Sequence, residues 1–118
     1  MNLEDILQHC TTKPGVEETF PFGPETLVLK VYGKIFLLAD LENAVSINLK
    51  CNPEKAVELR EKYHSVQPGY HMNKKHWNTV MLNGTYSRKE LLEWIDDSYA
   101  LVFNSLPAKT RTLLAPTT

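Results

Sequence analysis

Over the first ten positions apolar residues recur at three- and four-residue intervals: Leu3, Ile6, Leu7 and Cys10 make one stripe, the pattern of an amphipathic helix. Asn2 stands where an N-cap is needed, and Glu4 and Asp5 fall in the first turn, where the helix dipole favours negative charge. Lys13-Pro14-Gly15 ends the helix. Residues 17 to 22 read as a short extended piece, and Pro21, Gly23 and Pro24 force a turn after it. From Thr26 the period changes to two, with Leu27, Leu29 and Val31 on one side and Val28, Lys30 and Tyr32 on the other. Tyr32-Gly33-Lys34 then connects this strand tightly to a second over residues 35 to 39, an antiparallel hairpin. Residues 45 to 51 alternate most cleanly: Val45, Ile47, Leu49 and Cys51 point inward while Ser46, Asn48 and Lys50 point out. One face of the sheet is therefore expected on a core and the other in water.

Asn52 caps a second helix, with Pro53 at its first position and an apolar stripe of Ala56, Leu59 and Tyr63. Arg60 lies close to that stripe, which predicts a partly buried stem. Residues 77 to 82 form a further strand closed by Asn83-Gly84. Ser87 followed by Glu90 is a capping box, and Leu91, Leu92, Ile95, Tyr99, Val102 and Leu106 give the following helix a core side that Trp94, Leu101 and Phe103 widen. So broad a stripe suits a helix lying across a sheet, and Pro107 stops it. The element order is approximately α-β-β-β-β-α-β-α. This predicts an α+β fold of two layers, an antiparallel sheet with helices packed on one face.

The chain of 118 residues is the size of a single domain spanning 1–118, with a tail expected to fray after about residue 111. Its 42% hydrophobic and 23% charged residues are globular rather than disordered composition. There is no basic, apolar leader at the N-terminus and no run of ~18 apolar residues, so the expectation is a cytoplasmic protein with no membrane association. Cys10 and Cys51 are too few for a disulfide framework and read as small buried hydrophobes.

Charge changes the picture more than composition does. The net charge is −1, which argues against a surface coated in nucleic acid. Residues 60 to 90, however, carry six basic side chains (Arg60, Lys62, Lys74, Lys75, Arg88, Lys89) against two acidic ones, net +4, while the segments on either side are acidic. At the centre of that region is PGYHMNKKHWNT, residues 68 to 79. Its plainest reading is an irregular connection: Pro68-Gly69 turns, Tyr70, Met72 and Trp77 pack, and Asn73 accepts unusual backbone. The five-residue spacing of His71 and His76 suits neither a helix face nor a strand face, and no C-x-x-C or H-E-x-x-H fixes two metal ligands. A histidine acid or base lacks a partner, since no carboxylate lies between Glu61 and Glu90, and no nucleophile elbow or phosphate loop is present. No cofactor and no catalytic residue is therefore expected. The remaining function is anion binding: Lys74, Lys75, Arg88, His71 and His76 would contact a phosphate backbone, with Asn73 as a polar reader.

The segments KPGVEETFPFG, KVYGKIF, LKCNPEKAVELREKY, VQPGYHMNKKHWNTV and SYALVFNSLPAKTR follow one another as in the MmcQ/YjbR family of small bacterial proteins, and the resemblance runs from about Leu3 to Arg111. It implies a secretion-chaperone-like α+β fold, a double-wing arrangement of hairpins and a DNA-binding role. It places Pro68, Gly69, Tyr70, His71, Met72, Asn73, Lys74, His76 and Trp77 in the family signature and implies no catalytic residue. Folds of this kind also bind protein segments along their sheets, often as homodimers, so a chaperone-like interaction module is the rival expectation. The outward Ser46, Asn48 and Lys50 argue against a large apolar binding sheet.

Overall fold

The structure, a computed structural model, describes residues 2 to 69 and 72 to 114. Helix α1 (Leu3–Thr11) leads into four strands, β1 (Val16–Thr19), β2 (Thr26–Val31), β3 (Lys34–Asp40) and β4 (Ser46–Lys50). Helix α2 (Pro53–Lys62), strands β5 (Val66–Pro68) and β6 (Trp77–Met81), and helices α3 (Arg88–Asn104) and α4 (Ala108–Leu114) follow. The strands form one antiparallel sheet in the order β1-β2-β3-β4-β6-β5. The fold is thus the α+β arrangement the periodicity implies. Among the described residues no helix is long and apolar enough to cross a membrane.

The caps form as expected. The Asn2 side chain accepts the Asp5 N–H, Asn52 accepts the Glu54 N–H, and Ser87 and Glu90 exchange both bonds of the capping box. Tyr32 and Gly33 both take positive φ, 49° and 82°, as a two-residue hairpin between right-twisted strands requires. On one side of the sheet Leu27, Leu29, Leu37, Ile47, Leu49 and Val80 meet Ile6 and Cys10 of α1 and Leu91, Ile95 and Val102 of α3.

A bulge in β3 adapts the sheet to α3. Leu29 pairs with Leu37 and Lys30 with Ile35, so Phe36 has no opposite residue, and Phe36 and Leu37 both turn under the helices. Phe36 meets Tyr99 edge to face at 5.4 Å. The bulge interrupts the ladder to β4, and a buried serine of α3 repairs it: Ser98 Oγ donates to the Phe36 carbonyl at 2.5 Å and accepts the Lys50 N–H at 2.9 Å.

The structure differs from the expected pattern in three places. The helix-free face is not simply solvated, because Val28, Leu38 and Trp77 form a second buried cluster there, joined by Ile35 and Met72; β2 and β3 carry apolar residues on both parities, and Met72 packs against them. An added strand, β5, occupies residues whose proline and short length hid it from a periodicity argument. Past Pro107 a further short helix, α4, runs to Leu114, beyond the last element that the pattern predicts; residues 115 to 118 of the tail lie outside the described residues.

Candidate functional site

The signature segment is the connection of the β5–β6 hairpin, and most of its polar groups hold it in place. Gly69 donates to the Trp77 carbonyl at 2.8 Å, and a Cβ on Gly69 would lie 2.7 Å from the Trp77 Cβ, so only glycine fits. Asn73 Oδ1 accepts the Lys75 N–H at 2.9 Å, its carbonyl accepts the His76 N–H at 3.1 Å, and the His76 carbonyl accepts the Cys51 N–H at 2.7 Å. From α2, Arg60 reaches across the hairpin: Nε donates to Asn78 Oδ1 at 2.7 Å, and Nη2 donates to the carbonyls of Trp77, at 3.3 Å, and Lys74. Asn78 is 2% exposed and its amide nitrogen donates to the Ala56 carbonyl at 3.4 Å. A buried polar network of this kind fixes a loop because each member left alone would be costly.

The residues assigned to an anion site therefore divide. Lys74 and Lys75 are exposed on a turn whose backbone is pinned. Asn73 is exposed too, but its side-chain oxygen belongs to the turn. His76 is half-buried, and His71 lies outside the described residues. Arg88 is exposed at the first turn of α3, two residues before Glu90, whose carboxylate accepts the Tyr63 hydroxyl at the end of α2. Lys75 lines a shallow recess with Pro53, Glu54, Val57 and Arg60, and no contact found among the described residues joins Arg88 to the hairpin. Arg60, one of the six cations of the positive region, is engaged in holding the loop.

The larger concave feature is on the helix-free face. A cross-strand row of Thr19, Val28, Leu38, Asn48, Thr79 and Gln67 traverses all six strands, and its middle forms the floor of a groove of about 750 Å³. Phe22, from the β1–β2 connection, and Pro68 and Met72, from β5 and the segment after it, also line it. Thr79 Oγ1 donates to Asn48 Oδ1 at 2.6 Å. The one ionised lining side chain among the described residues is Asp40, and its Oδ1 accepts the backbone N–H groups of Glu42 and Asn43 at 3.0 and 3.4 Å. Strand alternation marks Ser46 and Asn48 as outward, but nothing local announces that Phe22 and Met72, fifty residues apart, line the same groove.

Elsewhere the titratable groups join elements. Asp96 Oδ1 accepts from His9 Nε2 at 2.7 Å and Lys13 Nζ at 2.8 Å. Burial alone would raise the Asp96 pKa, but the bonds from Lys13 and His9 outweigh it and hold the carboxyl below its usual value. Cys10 is buried, and burial pushes its thiol up to about 12; burial also raises Cys51. Neither is in a disulfide. Among the described residues no group of three His, Cys, Asp or Glu side chains could hold a metal ion.

Comparison with known proteins gives consistent matches. The family model described as YjbR matches residues 11–101. The protein YjbR of Escherichia coli K12 is 35% identical over 115 residues, covering 97% of this chain and 98% of the relative. YbdF of Escherichia coli O157:H7 is 42% identical over 104 residues, 87% of this chain and 85% of the relative. The crystal structure of the Deinococcus radiodurans protein DR2400, with the family-model domain DUF419, superposes with a TM-score of 0.90 at 39% identity, covering 96% of this chain and 87% of that one. A Pseudomonas syringae crystal structure superposes at 0.74 with 31% identity over 86% of this chain and 99% of that one.

Proposed function

The chain belongs to the YjbR family, and from that premise we propose that it is a non-enzymatic binding protein whose ligand is DNA, held at the β5–β6 hairpin. The observation that carries this reading is the placement of Lys74 and Lys75: both are exposed at a turn that Arg60 fixes through backbone carbonyls. A rigid turn presents two ammonium groups to phosphate without having to be ordered on binding. His76 and Arg88 add contacts at the margin rather than at the centre. The β1–β2 hairpin is apolar at its tip and acidic at its base, with Phe20, Phe22, Glu17, Glu18 and Glu25, so the two hairpins do not grip one phosphate backbone alike.

A salt titration of binding to duplex and to single-stranded DNA tests the proposal. Two to four phosphates neutralised give a slope of about −2 to −4 in log affinity against log salt. Replacing Lys74 and Lys75 together by alanine is expected to reduce that slope by about 2. Affinity independent of salt, or unaltered in the double variant, sinks the DNA reading; a concentration-dependent homodimer or a co-purifying protein, with no DNA bound, supports an interaction module instead.

A further inference from the structure

We infer that the groove on the helix-free face receives an unpaired base of a single-stranded nucleic acid, while its phosphates run over the Lys74 and Lys75 turn. The inference rests on the nucleic-acid reading above and adds the form of the ligand and the site of its base. Three observations carry it.

The first is the separation of charge from shape. The groove, about 750 Å³, falls within the ~300–1,000 Å³ typical of small-ligand sites, and no cation lines it among the described residues. Asp40 turns its carboxylate onto its own loop, bonding Glu42, Asn43 and the Asn43 amide. Such a groove repels phosphate and accepts a neutral planar group. The cations sit outside it, two and three residues beyond Met72, which is no more than about 11 Å of extended chain. That is within reach of the phosphates flanking a seated base.

The second is the pairing of walls and floor. Phe22, 64% exposed, lines the groove together with Pro68 and Met72, so its walls supply an aromatic ring and apolar atoms for a planar ring to pack against. On the floor, Asn48 accepts from Thr79 and keeps its amide N–H groups without a partner among the described residues. Gln67, exposed on β5 at the far side of β6, has both ends of its amide without a partner among the described residues. Two amides offer donors and an acceptor, the complement that base edges require.

The third is that a stacked duplex cannot use this arrangement. Its bases turn only their edges outward, and the floor lies below walls contributed by two loops. Unpaired strands splay their bases and reach it.

Anisotropy titrations of the full chain with a labelled oligothymidylate, the same strand as oligouridylate, and its duplex with oligoadenylate test the inference. The single strands are expected to bind more tightly than the duplex. Phe22→Ala is expected to weaken them about 5- to 100-fold, the range of one lost aromatic–base stack, and to leave duplex binding unchanged; Gln67→Ala weakens the single strands as well. Both positions are exposed, and circular dichroism of each variant confirms its fold. Equal binding of single strand and duplex, or single-strand binding untouched by both substitutions, overturns the groove as a base site while leaving DNA binding at the hairpin standing. Binding of no nucleic acid by the wild type overturns the hairpin reading and this inference together. A difference between the thymidylate and uridylate strands identifies whether DNA or RNA is the better ligand.

Discussion

Removing the Ser98 hydroxyl would leave the Phe36 carbonyl and the Lys50 N–H facing each other across a gap in the sheet. Both groups lie under α3, where water cannot replace the lost bonds without entering the core. Ser98→Ala is accordingly expected to cost about 1–3 kcal/mol, seen as a lower urea midpoint with an unchanged dependence on denaturant. The two cysteines make a second residue-scale prediction. With Cys10 pushed up to about 12 and Cys51 raised by burial, neither thiol is ionised near neutral pH. A thiol-specific reagent should therefore react slowly with the native protein and promptly with both cysteines in denaturant; fast labelling of Cys10 in the folded state contradicts its burial. Arg60 illustrates what a residue type hides. Its charge places it in the positive region, whereas its neighbours in space turn it into a clamp on the Trp77 and Lys74 carbonyls.

Between elements, the contact most sensitive to conditions joins α1 to α3. Asp96 accepts from His9 and Lys13, and its folded pKa lies below the ordinary 3.8. A depressed carboxylate stabilises the fold above its unfolded pKa, and that stabilisation is lost as pH falls through the lower, folded value. The side chain is 46% exposed, so solvent screens the interaction and its contribution is on the order of 0.5 kcal/mol. Asp96→Asn should lower stability by about that amount at pH 7, and the difference from wild type should vanish at the acid end of a pH series of urea melts. A difference that persists there would assign the effect to packing instead. The helices also show what local pattern makes legible. Asn2, Asn52 and the Ser87–Glu90 box mark three helix starts from sequence alone, because a cap is a contact between residues two or three apart. The bulge at Phe36 has no such signal, since it exists only relative to the strand opposite.

For the molecule as a whole, a net charge of −1 with two exposed lysines, Lys74 and Lys75, at the hairpin turn limits a nucleic-acid complex held there to a few phosphate contacts. Between about 50 and 200 mM salt, binding is expected to weaken about 10- to 150-fold, the consequence of two to four released counterions. A much steeper loss would require cations the hairpin does not supply. The sequence by itself determined the α+β class, the caps, the principal strands and the location of the positive region, since these depend on periodicity and on near neighbours along the chain. It also carried the family signature, whose Gly69 is explained by the close approach to Trp77. The tertiary structure alone shows that Arg60 and Asn73 support the loop and that Phe22 and Met72 line one groove on the helix-free side. Those facts depend on which strands become neighbours and on how the sheet bends, and two residues fifty positions apart leave no periodic trace of their meeting.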